Sequence, residues 1–237
     1  MSEGEMVMAT FVLVPGAFHG AWWFEPLARR LVAEGHDARA AELTGVGERV
    51  HLSSGTVNLD THIQDVVNVI EYADLTDVVL VAHSYGGMVI TGAADRLADS
   101  GRVRALVYLD AFVPQDGDSV WTLSPQVWRD RYVAGVGADG FSMAPPPFLT
   151  EPRVTSQPLA TMLQSIALTG ASDKIEHRHY VYMSAYEGTP FTQFRDRLSA
   201  EPSWTVHSLP FGHNVMSQCP DEIHALLLDV AIRVTTG

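Results

Sequence analysis

Two residues of this chain, Ser84 and His213, stand in settings where their types could do chemistry together, and that chemistry is nucleophilic attack on an acyl carbon. Ser84 lies in Ala82-His83-Ser84-Tyr85-Gly86, after the apolar run Val78-Val79-Leu80-Val81 and before Gly87-Met88-Val89-Ile90, which reads as a helix start. Small-x-Ser-x-Gly between a strand and a helix marks a very tight turn that lifts the hydroxyl above the carboxyl edge of a sheet. Ala82 replaces the first glycine of the strict pattern. A Ser-x-Gly tripeptide alone is a frequent chance match, and a serine capping a turn would account for it. The strand before and the doubled glycine after favour a nucleophile.

A serine hydroxyl is a poor nucleophile at neutral pH, so a base must take its proton and later return it to the leaving group. His213 follows the strand-like segment 204–209 in Pro210-Phe211-Gly212-His213-Asn214, on a loop that reaches the same carboxyl edge. Of the ten histidines, His36, His51, His62, His207 and His224 read as packing or surface residues, and His83 is expected beneath the elbow. His177 and His179 share a strand face. With no third ligand evident they do not make a metal site.

A third element is Phe11-Val12-Leu13-Val14-Pro15-Gly16-Ala17-Phe18-His19-Gly20, an apolar strand running into a glycine-containing loop. In α/β-hydrolases the loop after such a strand gives one oxyanion-hole amide, and the residue after the nucleophile gives the other. The donors here would be the N–H groups of Ala17 and Tyr85, aimed at the charge on a tetrahedral oxygen. A dinucleotide loop is rejected, because Gly16-x-x-x-Gly20 lacks the G-x-G-x-x-G spacing.

These residues need a scaffold, and the chain alternates strand and helix signals along most of its length. Strands are expected near 10–14, 37–42, 78–82, 103–109, 179–183 and 204–209. Helices are expected near 21–34, 59–73, 85–98, 190–199 and 220–234. That order argues for an α/β fold with a mostly parallel sheet. At 237 residues, with 46% hydrophobic and 18% charged, the composition fits one globular domain spanning 1–237. Residues 114–175 break the rhythm and are rich in aromatics and methionine, which reads as a cap insertion above the active site. Phe18, His19, Trp121 and Trp128 are the expected pocket residues. Tyr132, Phe141, Met143, Pro145-Pro146-Pro147, Phe148, Met162 and Leu163 divide between pocket and the cap's own core.

The net charge of −13, with Lys174 the single lysine, argues against nucleic-acid or anionic-membrane partners. The start, Met1-Ser2-Glu3-Gly4-Glu5, is acidic and has no signal-like core, which points to the cytoplasm. The lone cysteine, Cys219, excludes an internal disulfide and reads as a packing residue. A homodimer is left open.

Val14-Pro15-Gly16-Ala17-Phe18-His19-Gly20-Ala21-Trp22 resembles the opening motif of the plant methyl-ester esterases, of the salicylic-acid-binding and methyl-jasmonate type, and of the hydroxynitrile lyases. The resemblance runs through the elbow, Leu106-Val107-Tyr108-Leu109-Asp110-Ala111-Phe112-Val113-Pro114, and Gly212-His213. Pro15 stands where that family usually has a histidine. The resemblance implies an α/β-hydrolase core with a small cap, no cofactor, and acyl transfer on a small ester. The family's acid usually follows the penultimate strand; here that segment has Tyr186 at the matching position and Glu187 next to it. Asp110, ending the strand 103–109, is the first choice instead, since a carboxylate closing an apolar strand needs a partner and His213 would supply one. A turn-capping role is the plain structural alternative.

The expected protein is therefore a serine carboxylesterase with Ser84, His213 and Asp110 as its triad (Glu187 the alternative acid), acting on a small hydrophobic or aromatic ester. Hydroxynitrile lyase chemistry is the runner-up, but in the plant enzymes it relies on a threonine and a lysine where this chain has Gly16 and Asn214. A non-catalytic small-ligand binder on the same fold is the other class considered.

Overall fold

Short apolar runs rich in valine and leucine make the central strands, each closed by a turn or loop at its carboxyl end. The computed structural model describes residues 8–236; the acidic start, Met1–Glu5, lies outside the described residues. The strands are β1 (Thr10–Val14), β2 (Asp37–Ala40), β3 (Val78–His83), β4 (Val103–Leu109), β5 (Ser142–Met143), β6 (Gln157–Pro158), β7 (His177–Met183) and β8 (Trp204–Leu209). Six form one sheet in the order β2-β1-β3-β4-β7-β8, and every pairing in it is parallel. β5 and β6 pair antiparallel in a separate small sheet.

Parallel strands are buried on both faces, and alternate residues feed two cores. Val12, Val14, Leu80 and Leu106 pack on one side of the sheet. Phe11, Leu13, Val79, Val81 and Val107 pack on the other. The flanking helices are α1 (Glu25–Ala33), α2 (Leu59–Tyr72) and α3 (Gly86–Leu97), then the single turns α4 (Val120–Leu123) and α6 (Ala160–Leu163) on either side of α5 (Gln126–Ala134). α7 (Thr192–Ser199), α8 (Val215–Gln218) and α9 (Pro220–Thr236) complete the set. No helix among the described residues is long and apolar enough to cross a membrane.

The expected helix over 21–34 is divided. A 3₁₀ turn, Ala21–Trp23, precedes α1, and Pro26 lies in the first turn of α1. A proline lacks an N–H and suits only the start of a helix, so the helix proper begins there. Residues 114–175 hold α4, α5, α6 and the β5–β6 pair between β4 and β7.

The strand order fixes where a site can form. From β1 the chain goes out to β2 and returns on β1's other side as β3, so the loops after β1 and β3 diverge over a crevice at the carboxyl edge. Gly16–His19 and Ser84 occupy those two loops.

Candidate active site

Ser84 is the residue directly after β3, and its φ of 53° is left-handed. A non-glycine residue adopts that conformation only when its surroundings enforce it, at a cost of about 1–3 kcal/mol. Here the enforcement is backbone bonding: Ser84 N–H donates to Leu109 O at 3.3 Å, while Ser84 O accepts from Phe112 and Gly87 N–H at 3.1 Å each. The doubled glycine is sterically required. A Cβ on Gly86 would lie 2.6 Å from Val14 O, and one on Gly87 would lie 2.1 Å from Phe112 O.

The β3–β4 register pairs His83 with Leu109, so Ser84 and Asp110 each follow the last rung of neighbouring strands. Asp110 is fully buried and also left-handed, with φ 43°. Its N–H donates to Val181 O at 2.7 Å, and its Oδ1 accepts the Met183 N–H at 3.2 Å. Its Oδ2 lies 2.7 Å from His213 Nδ1. A carboxylate can only accept, so His213 donates from Nδ1 and turns Nε2 away from Asp110. Glu187 is exposed in the turn after β7, whereas Asp110 occupies the Nδ1 position.

The loop bearing His213 is held from beneath by His83, which is buried and donates from Nε2 to His213 O at 2.8 Å. Burial and the neighbouring His213 push the His83 pKa well below its usual value, so it is neutral at this hydrogen bond. Trp23 stacks on His83 at 4.5 Å. Rings sequence reasoning did not place at the site also meet the imidazole. Tyr186 stacks on His213 at 4.9 Å, and Phe191 does so at 5.1 Å. Tyr186 is the residue that falls on the family's usual acid position, and an aromatic there was the available signal.

Among the described residues, neither the Ala17 nor the Tyr85 N–H has an acceptor, whereas the N–H groups of Phe18, His19 and Ser84 do. Phe18 N–H donates to Gln157 Oε1 at 3.0 Å and His19 N–H to Gly16 O at 3.3 Å. The Tyr85 side chain points away into the core. Its hydroxyl meets His62 Nδ1 at 2.8 Å, and His62 Nε2 donates to Thr44 O at 2.7 Å. His62 is therefore a buried neutral histidine tying the elbow to the loop after β2, with its pKa lowered by burial to about 4.

Gly16, Ala17, Ser84, Tyr85 and His213 open on one cavity of about 100 Å³. Its walls are mostly apolar. Phe18, His19 and Trp128 line it, together with Phe112, Tyr132 and Phe148. Pro146 and Met162 also reach it from the segment between β4 and β7; Phe141, Met143 and Leu163 are not among the lining residues. Trp121 is a correction: it does not line the cavity, and its neighbour Val120 does. The Ser119 cap fixes α4 with Val120 buried, and one residue along a helix turns about 100°. Trp121 instead faces the Arg129 guanidinium at 5.6 Å.

His179 and His207 stack at 5.8 Å away from this cavity, and the described residues contain no cluster of three metal-ligating side chains. Cys219 is buried in the core beside Ile223 and Leu227, with its thiol pKa pushed up to about 11 by burial.

The model of the alpha/beta hydrolase family matches residues 11–226, and the chain belongs to that family. It is 39% identical over 236 residues to a carbendazim hydrolyzing esterase of Nocardioides sp. (strain SG-4G), covering 91% of this chain and 97% of that protein. Methylesterase 7 of Arabidopsis thaliana is 30% identical over 130 residues, 51% of this chain and 49% of that protein; the chain thus matches about half of this plant relative. An extracellular α/β-hydrolase from a Paenibacillus species shares the fold with a TM-score of 0.80 at 20% identity, over 93% of this chain and 98% of that one. The kinship expected from the opening motif and elbow is the one found.

Proposed function

We propose that this carboxylic ester hydrolase works through an acyl-enzyme on Ser84, with His213 as base and acid and Asp110 orienting the imidazole. The observation that carries this reading is the 2.7 Å contact from His213 Nδ1 to buried Asp110, which leaves Nε2 free in the cavity that Ser84 also lines. In the first half-reaction Ser84 Oγ bonds to the ester carbonyl carbon and its proton passes to His213 Nε2. The unpartnered Ala17 and Tyr85 amides receive the negative oxygen of the tetrahedral intermediate. Collapse breaks the carbon–alkoxy bond, and the alcohol leaves with the proton from Nε2. Water then repeats the sequence, releasing the carboxylic acid and restoring Ser84.

The apolar, aromatic walls favour a small hydrophobic or aromatic ester without charge near the reacting carbon. Carbendazim belongs in the substrate panel, because a relative is named for hydrolysing it. The test is Ser84→Ala, which deletes one hydroxyl. The variant is expected to keep its circular dichroism and melting temperature, to lose p-nitrophenyl acetate hydrolysis, and to gain no mass from a fluorophosphonate that labels the parent enzyme. Comparable hydrolysis by the variant would defeat the reading.

A further inference from the structure

The turn that carries Ala17 is held in an unfavourable shape by a residue from far along the chain. His19 N–H closes the turn onto Gly16 O, and Phe18 occupies its third position with φ 70°, where a type II turn ordinarily takes glycine. Both ends of the Ala17–Phe18 peptide are tied by side chains. Its carbonyl meets His19 Nδ1 at 2.7 Å, and its N–H donates to Gln157 Oε1 at 3.0 Å. Gln157 is 1% exposed, and its Nε2 donates to Thr161 Oγ1 at 2.9 Å, so its amide is fixed in one orientation. The same segment fastens the turn again, through Thr155 N–H to Phe18 O at 3.0 Å. Thr155 Oγ1 in turn accepts the Gly47 N–H at 2.9 Å.

A type II turn relaxes toward type I by flipping its central peptide, which would return Phe18 to negative φ. Gln157 and His19 grip the two poles of that peptide, so the flip would break both bonds. We propose that Gln157 is a positioning residue of the reaction: by locking the Ala17–Phe18 peptide it anchors the turn whose preceding peptide, Gly16–Ala17, presents the Ala17 N–H to the developing oxyanion, and it engages the competing Phe18 N–H elsewhere. This rests on the reading of Ser84 as nucleophile and Ala17 as oxyanion donor. Gln157 is not among the residues lining the cavity; it acts through the turn. Preorganisation of a donor matters only when charge develops, so the effect belongs in kcat rather than in KM.

Gln157→Leu removes both side-chain hydrogen bonds at similar volume. It is expected to lower kcat for p-nitrophenyl acetate by about tenfold to a hundredfold, below the full loss of an oxyanion donor, with KM within about threefold. Gln157→Glu separates this role from simple packing. As a neutral acid it can accept from Phe18 N–H and donate to Thr161 Oγ1. Once ionised it faces Thr161 Oγ1 acceptor to acceptor, because that hydroxyl already donates to Pro158 O at 2.6 Å. The ratio of its kcat to that of the parent enzyme is therefore expected to be highest at low pH and to fall as pH rises. A flat ratio, or Gln157→Leu within about threefold of the parent in kcat, overturns the inference. If Gln157→Leu does not fold, the pH dependence of Gln157→Glu alone decides. Ser84→Ala is assayed alongside. Activity in that variant would sink the underlying reading and this inference with it, whereas a dead Ser84→Ala beside a normal Gln157→Leu would sink the inference alone.

Discussion

Asp110 and His213 meet across β7: the carboxylate leaves the end of β4, accepts the Met183 N–H with one oxygen, and lies 2.7 Å from the imidazole with the other. The acid is thus fixed by two hydrogen bonds and a left-handed backbone before His213 is considered, and the imidazole is oriented by an immobile partner.

Asp110→Asn is expected to cut kcat by up to roughly 10⁴ with little change in KM, because an amide in that place favours the wrong imidazole tautomer. Glu187→Gln, on an exposed turn, is expected to stay within about twofold. Steady-state kinetics on both variants check this. A crippled Glu187→Gln beside an active Asp110→Asn would move the acid to the later strand.

The cavity wall makes a paired prediction. Trp128→Ala removes a lining ring and is expected to raise KM for an aromatic ester by about tenfold while sparing an acetate ester, since apolar contact contributes in proportion to area. Trp121→Ala, one residue from the wall, is expected to leave both KM values unchanged. Comparing p-nitrophenyl acetate with a phenylacetate ester is sufficient, and equal effects of the two substitutions would contradict the placement.

Acid sensitivity follows from the buried histidines. His62 has its pKa lowered from 6.5 to about 4 by burial, and His179 is lowered to about 4 for the same main reason. Below pH 6.5 the unfolded chain takes up protons that the native chain refuses. Stability is therefore full above pH 6.5 and is lost as pH falls toward 4, by up to about 3 kcal/mol for His62 alone. Urea midpoints are expected to decline between pH 6.5 and 4.5, less steeply in His62→Gln. Midpoints unchanged over that range would refute the assignment.

Much of this site could be read from the chain because its parts have local signatures. Ser84 needs small neighbours within two residues, His213 follows a strand, and Asp110 is a carboxylate directly ending seven strand residues. Trp121 misled because a single helical turn gives no periodicity from which to tell its buried face. Tyr186 and Phe191 lie outside the regular elements and Gln157 in a strand of two residues, and what they contact is distant in sequence: Gln157 and Phe18 are 139 residues apart. No local pattern encodes such a contact. Pro26, by contrast, is a visible start signal in the first turn of α1, and an unbroken helix over 21–34 leaves it out of account.

The carboxylate's place on β4 also changes what the turn after β7 is free to be. In the plant pattern that turn carries the acid, so its sequence is tied to charge. Here the position holds Tyr186, whose ring both lines the cavity and stacks on His213. On the proposed triad two duties are separate: the acid sits at the end of a sheet strand, and the turn after β7 supplies cavity wall. A library varied at Tyr186 and its neighbours therefore alters the cavity wall and the face of the imidazole while the carboxylate, held at the end of β4 by the Met183 N–H, keeps its place.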